Sequence, residues 1–506
     1  MQALSEHLAF IKLAETDQSP ELAWTAPIFT FNAFCNLETK LKQLKRSDPP
    51  QYALLGGTAN LLKEHETAST QRESQSQDPR IFLNISHPSS VFICGSQGSG
   101  KSHTLSCLLE NCLIPSEVNN LRNPLTALVF HQDTFISDEA GSPCEAAYLS
   151  SNPLVSVTVL CSPTNMATIK DTYKDLNVIV KPLRLRERDL NTKRMLDLMA
   201  VRQEDGGVPL YVQTVMRILR EMRIEQQNTG NPFRYQLFKE RVRNANLSPQ
   251  QLAPLQQRLE TLESFMEQKQ EVRMKRQKGR LVEGESVAWS SEPSALTIVD
   301  LSCPCITSSV ACSIFNVCLS IFLEQAPSVG RVVALDEAHK YMDSSLEAST
   351  FTESLLSTIR LQRHLGVRVI ISTQEPTISP KLLDLSSLTI VHRFTSPQWL
   401  SVLQRHIAPV ASNMRIDISA EEAKEDQDES YDDRDDVEAQ ASNKKIFEDI
   451  VHLGVGQALL FCPSALIATA KKESNSAGPT RLGFGYIKIQ VRSRITTDGG
   501  KSILAL

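Results

Sequence analysis

Gly95-Ser96-Gln97-Gly98-Ser99-Gly100-Lys101-Ser102 sets three glycines, a lysine and a serine in the spacing GxxxxGK[ST]. An apolar run, VFIC, leads into this segment, and a helix-compatible run, HTLSCLLENCL, leads out of it. That is the strand–loop–helix context in which such a loop cradles phosphates. The glycines let the backbone curl so that successive N–H groups face an anion, and the helix N-terminus adds partial positive charge. Lys101 would reach the β- and γ-phosphates, and the Ser102 hydroxyl would ligate Mg²⁺. His103, the next residue, counts with the loop as a nucleotide-contacting position.

A second chemical unit is Val332-Val333-Ala334-Leu335-Asp336-Glu337, an apolar strand ending in two carboxylates. Asp336 would hold Mg²⁺, directly or through water, and Glu337 would polarise the attacking water. Val369-Ile370-Ile371-Ser372-Thr373-Gln374 is a further apolar strand with a polar tip. In a sheet that places this strand between the other two, Gln374 could bind the γ-phosphate or the water. Arg360 and Arg363 lie three apart on a helix. That spacing puts both on one face, either as solvated charges or as groups that reach a nucleotide on a neighbouring subunit. His339, inside DEAHK, reads as a local structural or coupling residue, and the ten histidines offer no clustered metal site.

These groups need a scaffold of strands alternating with helices. Strand candidates are IFLNIS (81–86), SSVFICG (89–95), LTALVF (125–130), VSVTVL (155–160), NVIVKPL (177–183), ALTIVDLS (295–302), RVVALDE (331–337), VRVIISTQ (367–374) and SLTIVHRF (387–394). GQALLFCP (456–463) and GFGYIKIQVRSRI (483–495) read as closing strands, and 306–324 and 348–365 as helices. This alternation predicts an α/β fold with a mostly parallel, doubly wound sheet. Residues 1–65 show weak helical pattern and no motif, and 66–80 read as a polar linker. The core is expected to run over 81–186 and 286–506, split by a helical insertion at 187–285. Within that insertion Leu252, Leu255, Leu259, Leu262 and Met266 repeat at three and four, an apolar helical stripe. Its tail, VRMKRQKGR (272–280), is basic and reads as a solvated helix end, a nucleic-acid contact or a nuclear signal. The acidic run at 417–443 reads as a disordered loop.

The 506 residues suffice for two to three domains. With 41% apolar and 22% charged residues the composition is that of a globular chain. Aromatics at 6% argue against a base-stacking platform as the main theme. Net charge is −5, but 421–438 hold eleven acids against Lys424 and Arg434, so the remainder is net positive and a local basic surface is compatible. The eleven cysteines are odd in number, form no CxxC pair and mostly lie in apolar runs, which fits a reducing compartment rather than a disulfide framework. No secretory signal or membrane-spanning stretch is visible, so an intracellular location, cytoplasmic or nuclear, is expected.

GSQGSGKS (95–102), TIVDLS (297–302), VVALDEAHKYM (332–342), RLQRHLGVRVIISTQEP (360–376) and VRSRITTDGG (491–500), in that order, resemble the HerA/FtsK superfamily, and most closely the HerA-type ATPase core. The resemblance covers about 85–185 and 295–500. It implies a RecA-like core and a ring, usually a hexamer, with ATP and Mg²⁺ at subunit interfaces. It also implies ATP-driven movement along double-stranded DNA and, in prokaryotic members, a nuclease partner. Carried over by residue, Lys101 and Ser102 become phosphate and Mg²⁺ ligands, Asp336 and Glu337 the metal-binding and catalytic acids, Gln374 the sensor, and Arg360 or Arg363 the finger acting in trans. The first 80 residues do not read as the small β-barrel found at that end of HerA proteins. A two-domain DEAH helicase would need more chain after Glu337, and a small-molecule kinase a more compact domain. The alternative from another class is an ATP-dependent switch or scaffold that moves no polymer and uses 1–80 and 187–285 for protein partners. DNA-stimulated ATPase activity separates the two.

Overall fold

The computed structural model describes residues 25–36, 50–68, 78–134, 137, 141–198, 210–245, 247–266, 289, 292–325, 329–407, 445–468 and 480–500. The acidic run at 417–443, the basic tail at 272–280 and residues 69–77 of the polar stretch lie outside them. The strands of the described residues are, in chain order, β1 (Ile28–Thr30), β2 (Tyr52–Thr58), β3 (Arg80–Asn84), β4 (Ser90–Cys94), β5 (Asn119–Asn120), β6 (Thr126–His131), β7 (Ser156–Cys161) and β8 (Ile179–Pro182). They continue with β9 (Ala295–Asp300), β10 (Arg331–Leu335), β11 (Val367–Thr373), β12 (Leu388–Val391), β13 (Gln457–Phe461), β14 (Leu466–Ile467), β15 (Thr480–Arg481) and β16 (Ile487–Val491).

The chain forms two compact units. The larger comprises Ser89–Ile114, Asn123–Ser386 and Ser493–Leu506. Its strands pair in the order β4-β11-β10-β6-β9-β7-β8, every pair parallel. Strands β4, β6, β9, β10 and β11 are buried along their whole length. A strand covered on both faces has no solvent side to mark with polar residues, so it reads as an apolar run. Helices cover the sheet. Ser308–Glu324 starts at Thr307, whose hydroxyl accepts from Val310 N, and Leu346–Arg360 starts at Ser345, which accepts from Ala348 N. Phe315 and Phe351 from these two helices meet Phe130 of β6 with ring centroids 4.8 and 5.5 Å away. Burying each ring contributes about 1.5–3 kcal/mol, so this cluster fixes the helices on the sheet.

Between β8 and β9 the described chain is helical: Thr192–Leu198, Leu210–Thr229, Tyr235–Arg243 and Pro249–Ser264. The last begins with a capping box between Ser248 and Gln251 and with Pro249 in its first turn. Leu255, Leu259 and Leu262 of the apolar stripe are buried. Met266 falls beyond the helix end and forms an isolated bridge with Leu185.

The smaller unit comprises Met1–Pro88, Pro115–Arg122 and Ser387–Arg492. Its strands run β15-β14-β1-β3-β2-β16-β13-β12, with β5 on β2. All these pairs are antiparallel except β1 with β14. The region read as weakly helical therefore supplies two strands, β1 and β2. Their partners β14 and β16 come from the far end of the chain; β16 lies in the strand read at 483–495, but no local pattern tells which strand it pairs with. Phe29, Phe34, Phe82 and Leu466 belong to its apolar core, with the Phe29 and Phe34 rings stacked at 4.9 Å. Gly56 permits the β2–β16 pairing, because a Cβ there would lie 2.1 Å from the carbonyl oxygen of Gln490.

Candidate active site

The loop 95–100 leaves the end of β4, and the helix Lys101–Leu113 follows it. Gly95, Gly98 and Gly100 have φ of 153°, 71° and 107°, and the latter two lie where a side chain would be strained. Ser99 bends the loop back on itself, its Oγ donating to Ser96 O at 2.7 Å. The Lys101 ammonium also donates to Ser96 O, at 3.0 Å. Lys101 is only 4% exposed. Burial pushes its ammonium below the ordinary value, against the pull of Glu337, Cys94 and Asp336. The helix has no side-chain cap and no acid in its first turn. Its first N–H groups and the positive end of its dipole therefore face outward along the loop, as an anion requires.

Parallel register brings the remaining groups to the same edge. Cys94 pairs with Thr373, Ile371 with Leu335, Leu335 with Phe130, and His131 with Asp300. β11 thus lies between β4 and β10, the placement that the role of Gln374 demands. The carboxyl ends of five strands, β4, β11, β10, β6 and β9, form one line, where open α/β sheets bind ligands. Glu337 follows directly, in a left-handed conformation with φ 49°. Gln374 Nε2 donates to Glu337 Oε2 at 3.0 Å. The backbone N–H of Gln374 donates to His339 Nδ1 at 3.3 Å, and His339 Nε2 lies 3.4 Å from the same Glu337 oxygen. An Nδ1 that accepts leaves the hydrogen on Nε2, so neutral His339 bridges the two strand tips.

Asp336 is 2% exposed, and its backbone N–H donates to Phe130 O at 3.0 Å. Cys144 Sγ donates to Asp336 Oδ2 at 3.6 Å, and His131 Nδ1 stands 3.3 Å from that oxygen. Burial alone would raise the Asp336 pKa. His131, the Cys144 thiol and Lys340 outweigh it and hold the carboxyl below its ordinary value. Lys340 also pairs with Asp133 at 3.3 Å. Cys144 N donates to Tyr173 OH at 2.9 Å, and Tyr173 OH donates to Asp300 Oδ2 at 2.7 Å. His131, Cys144, Tyr173 and Asp300 are not apparent from motif spacing. His131 and Asp300 could have been found as polar tips of apolar strands.

Arg360 and Arg363 are both exposed, and neither makes a hydrogen bond or ion pair among the described residues. The helix ends at Arg360, Leu361 caps it, and Arg363 belongs to the separate turn Gln362–Leu365. The single continuous helix over 348–365 is thus broken between them. His103 faces the strand-to-terminus segment, with Nδ1 3.6 Å from Asp498 Oδ2. That segment lies on the loop's helix. Buried Glu110 accepts from the N–H groups of Ile495 and Thr496 and from the Thr496 hydroxyl, while Arg494 pairs with Glu145.

The residues present fit Mg²⁺ and a nucleoside triphosphate. Asp336 Oδ1 is a buried acceptor with no hydrogen-bond partner. With the Ser102 hydroxyl it forms the hard oxygen set that Mg²⁺ prefers. The loop's glycines and open helix end suit a polyphosphate. No helix of the described residues is long and apolar enough to cross a membrane.

No protein-family model matches the chain, and no curated protein matches it. Among solved structures, it is similar to VirB4 of Thermoanaerobacter pseudethanolicus, with 12% identity and a TM-score of 0.45 over 88% of this chain and 96% of that one. It is also similar to the plasmid coupling protein TrwB in complex with a non-hydrolysable GTP analogue, with 10% identity and a TM-score of 0.41 over 90% of this chain and 98% of that one. The strand order, the loop between β4 and its helix, and the acidic tip of β10 make the larger unit a RecA-like P-loop nucleotide-binding core.

Proposed function

We propose that the chain is a Mg²⁺-dependent ATPase of the HerA/FtsK type that works as a homo-oligomeric ring on double-stranded DNA. The observation that carries the ATPase reading is the insertion of β11 between β4 and β10, so that Gln374 holds Glu337 on the same sheet edge as Lys101 and Asp336. Lys101 and the loop N–H groups bind the triphosphate. Ser102 and Asp336 would hold Mg²⁺, which neutralises phosphate charge when bound. Glu337 accepts a proton from the attacking water, and Gln374 and His339 fix the carboxylate's direction. Exposed Arg360 and Arg363 are available to a neighbouring subunit's nucleotide, and the helices at 192–264 to a protein partner. The ring and the DNA rest on the sequence resemblance.

The test is steady-state ATP hydrolysis against protein concentration, with and without linear double-stranded DNA, at low and moderate salt. Phosphate contacts weaken steeply with salt, so both conditions are needed. Stimulation that grows with assembly and vanishes in Lys101→Ala and Glu337→Gln is expected. Hydrolysis indifferent to DNA at every salt would favour the ATP-dependent switch or scaffold instead.

A further inference from the structure

His131, Cys144 and Asp336 offer a nitrogen, a sulfur and an oxygen that all lie within 4.8 Å of one another. Among the described residues no other such triplet of ligating groups occurs. The oxygen Asp336 Oδ2 lies 3.3 Å from His131 Nδ1 and 3.6 Å from Cys144 Sγ. Donors bound tetrahedrally to one zinc ion at about 2.0–2.3 Å are themselves separated by roughly 3.3–3.8 Å. The three residues are 4%, 0% and 2% exposed.

Their hydrogen bonding is incomplete. Neither ring nitrogen of His131 makes a hydrogen bond, although Asp336 Oδ2 is adjacent. A buried polar atom left in this state has lost its hydration without gaining a partner, and a bound cation would supply one. The backbone around the triplet is fixed. His131 O accepts from Leu301 N at 3.1 Å, Asp336 N donates to Phe130 O, and Cys144 N is held through Tyr173 by Asp300. Rigid placement of the ligands is what a metal site needs.

We propose that His131, Cys144 and Asp336 bind a thiophilic divalent cation of the zinc type. The thiolate selects against Mg²⁺, which takes oxygen ligands, and favours zinc or cobalt. On binding, the Cys144 thiol and the ligating His131 nitrogen each give up their proton to solvent as the sulfur–metal and nitrogen–metal bonds form; no redox change occurs. The site goes beyond the nucleotide reading but shares Asp336 with it: Oδ2 faces His131 and Cys144 and Oδ1 is left for Mg²⁺, so an ion held here competes for the charge of one carboxylate.

Cobalt reports the site without reference to hydrolysis. The full chain, both expressed in cobalt-supplemented medium and titrated with Co²⁺ after purification, is examined by absorption and metal content. The expected result is one bound Co²⁺ with a thiolate-to-cobalt charge-transfer band in the near ultraviolet, displaced by Zn²⁺. Cys144→Ser removes the band. His131→Gln weakens binding by at least the roughly 10-fold that even outer-shell changes bring. Cys305→Ser, at an exposed cysteine, leaves the band in place. Wild-type chain without the band by either route, or a band that survives Cys144→Ser, overturns the proposal. If Cys144→Ser does not fold, the wild-type spectrum and His131→Gln decide. Zn²⁺ should also slow ATP turnover, at a higher concentration in Cys144→Ser than in wild type. A metal-free chain that hydrolyses no ATP would sink the nucleotide reading and leave the cobalt result standing.

Discussion

Glu337 occupies a backbone conformation that costs a residue with a side chain about 1–3 kcal/mol. Strain of this kind persists where surrounding contacts enforce it, and here Gln374 and His339 both hold the carboxylate. Glu337→Gln should keep ATP binding and lose turnover, because an amide cannot accept the proton of the attacking water. Single-turnover hydrolysis with bound nucleotide measured separately checks it, and normal turnover would remove Glu337 from that role. His339 gives a pH signature. Burial pushes its imidazole below the ordinary value, against the pull of Glu337. The folded chain therefore binds fewer protons at this ring than the unfolded chain. Its contribution is complete above about pH 6.5 and is lost as pH falls through the lower folded value. Protonation puts a hydrogen on Nδ1 and ejects the Gln374 N–H. The rate should show an acid limb that His339→Gln flattens, since its amide offers the same acceptor and donor without titrating. An unchanged limb in His339→Gln would assign it to another group.

Elements determine which of these residues meet. The parallel sheet was legible because its strands are buried on both faces and read as apolar runs. Lys101, Asp336, Glu337 and Gln374 follow their ends, so spacing along the chain was enough to place them on one sheet edge. Cys144 escaped, since it comes from a loop and enters the site only through packing. In the antiparallel unit β3, β12, β13 and β16 were legible as strands, but β1, β2 and the pairing were not, for a different reason: Phe29 pairs with Leu466, and Gly56 with Val491. Contacts this distant leave no periodic signal. The segment after β16 shows how a remote element steadies the site. Glu110, fully buried on the phosphate-loop helix, accepts backbone N–H groups from Ile495 and Thr496 and lies 3.9 Å from Arg494. Glu110→Ala leaves these buried donors without their acceptor and takes one of its carboxylate partners from buried Arg494, which keeps Glu145. Breaking a buried pair on one side costs about 3–5 kcal/mol, so the unfolding free energy obtained from urea denaturation should fall by about that amount, with the midpoint moving to lower urea. A loss under about 1 kcal/mol would mean that the segment does not stay on the helix in solution.

At the scale of the whole molecule the proposed mechanism calls for a second cation, besides Lys101, opposite the γ-phosphate. Lys101 is engaged by its own loop, and Arg494 by Glu110 and Glu145. Arg360 and Arg363 are exposed and without a bond among the described residues, as a group reserved for another subunit would be. A trans arginine contributes about 10³–10⁵ in rate while leaving nucleotide binding intact. The break at Leu361 puts the two on separate turns, so only one of them need reach across. Alanine at the acting position should abolish hydrolysis, and alanine at the other should not. Mixing then separates a role in trans from one within the subunit. Lys101→Ala subunits lack a working nucleotide site but carry both arginines, whereas the inactive arginine variant keeps its nucleotide site. A mixture of the two recovers hydrolysis, rising with total protein concentration, if the arginine serves its neighbour. No recovery at any ratio, with assembly confirmed by sedimentation, would place the arginine's action within its own chain and remove the shared-site ring from the mechanism.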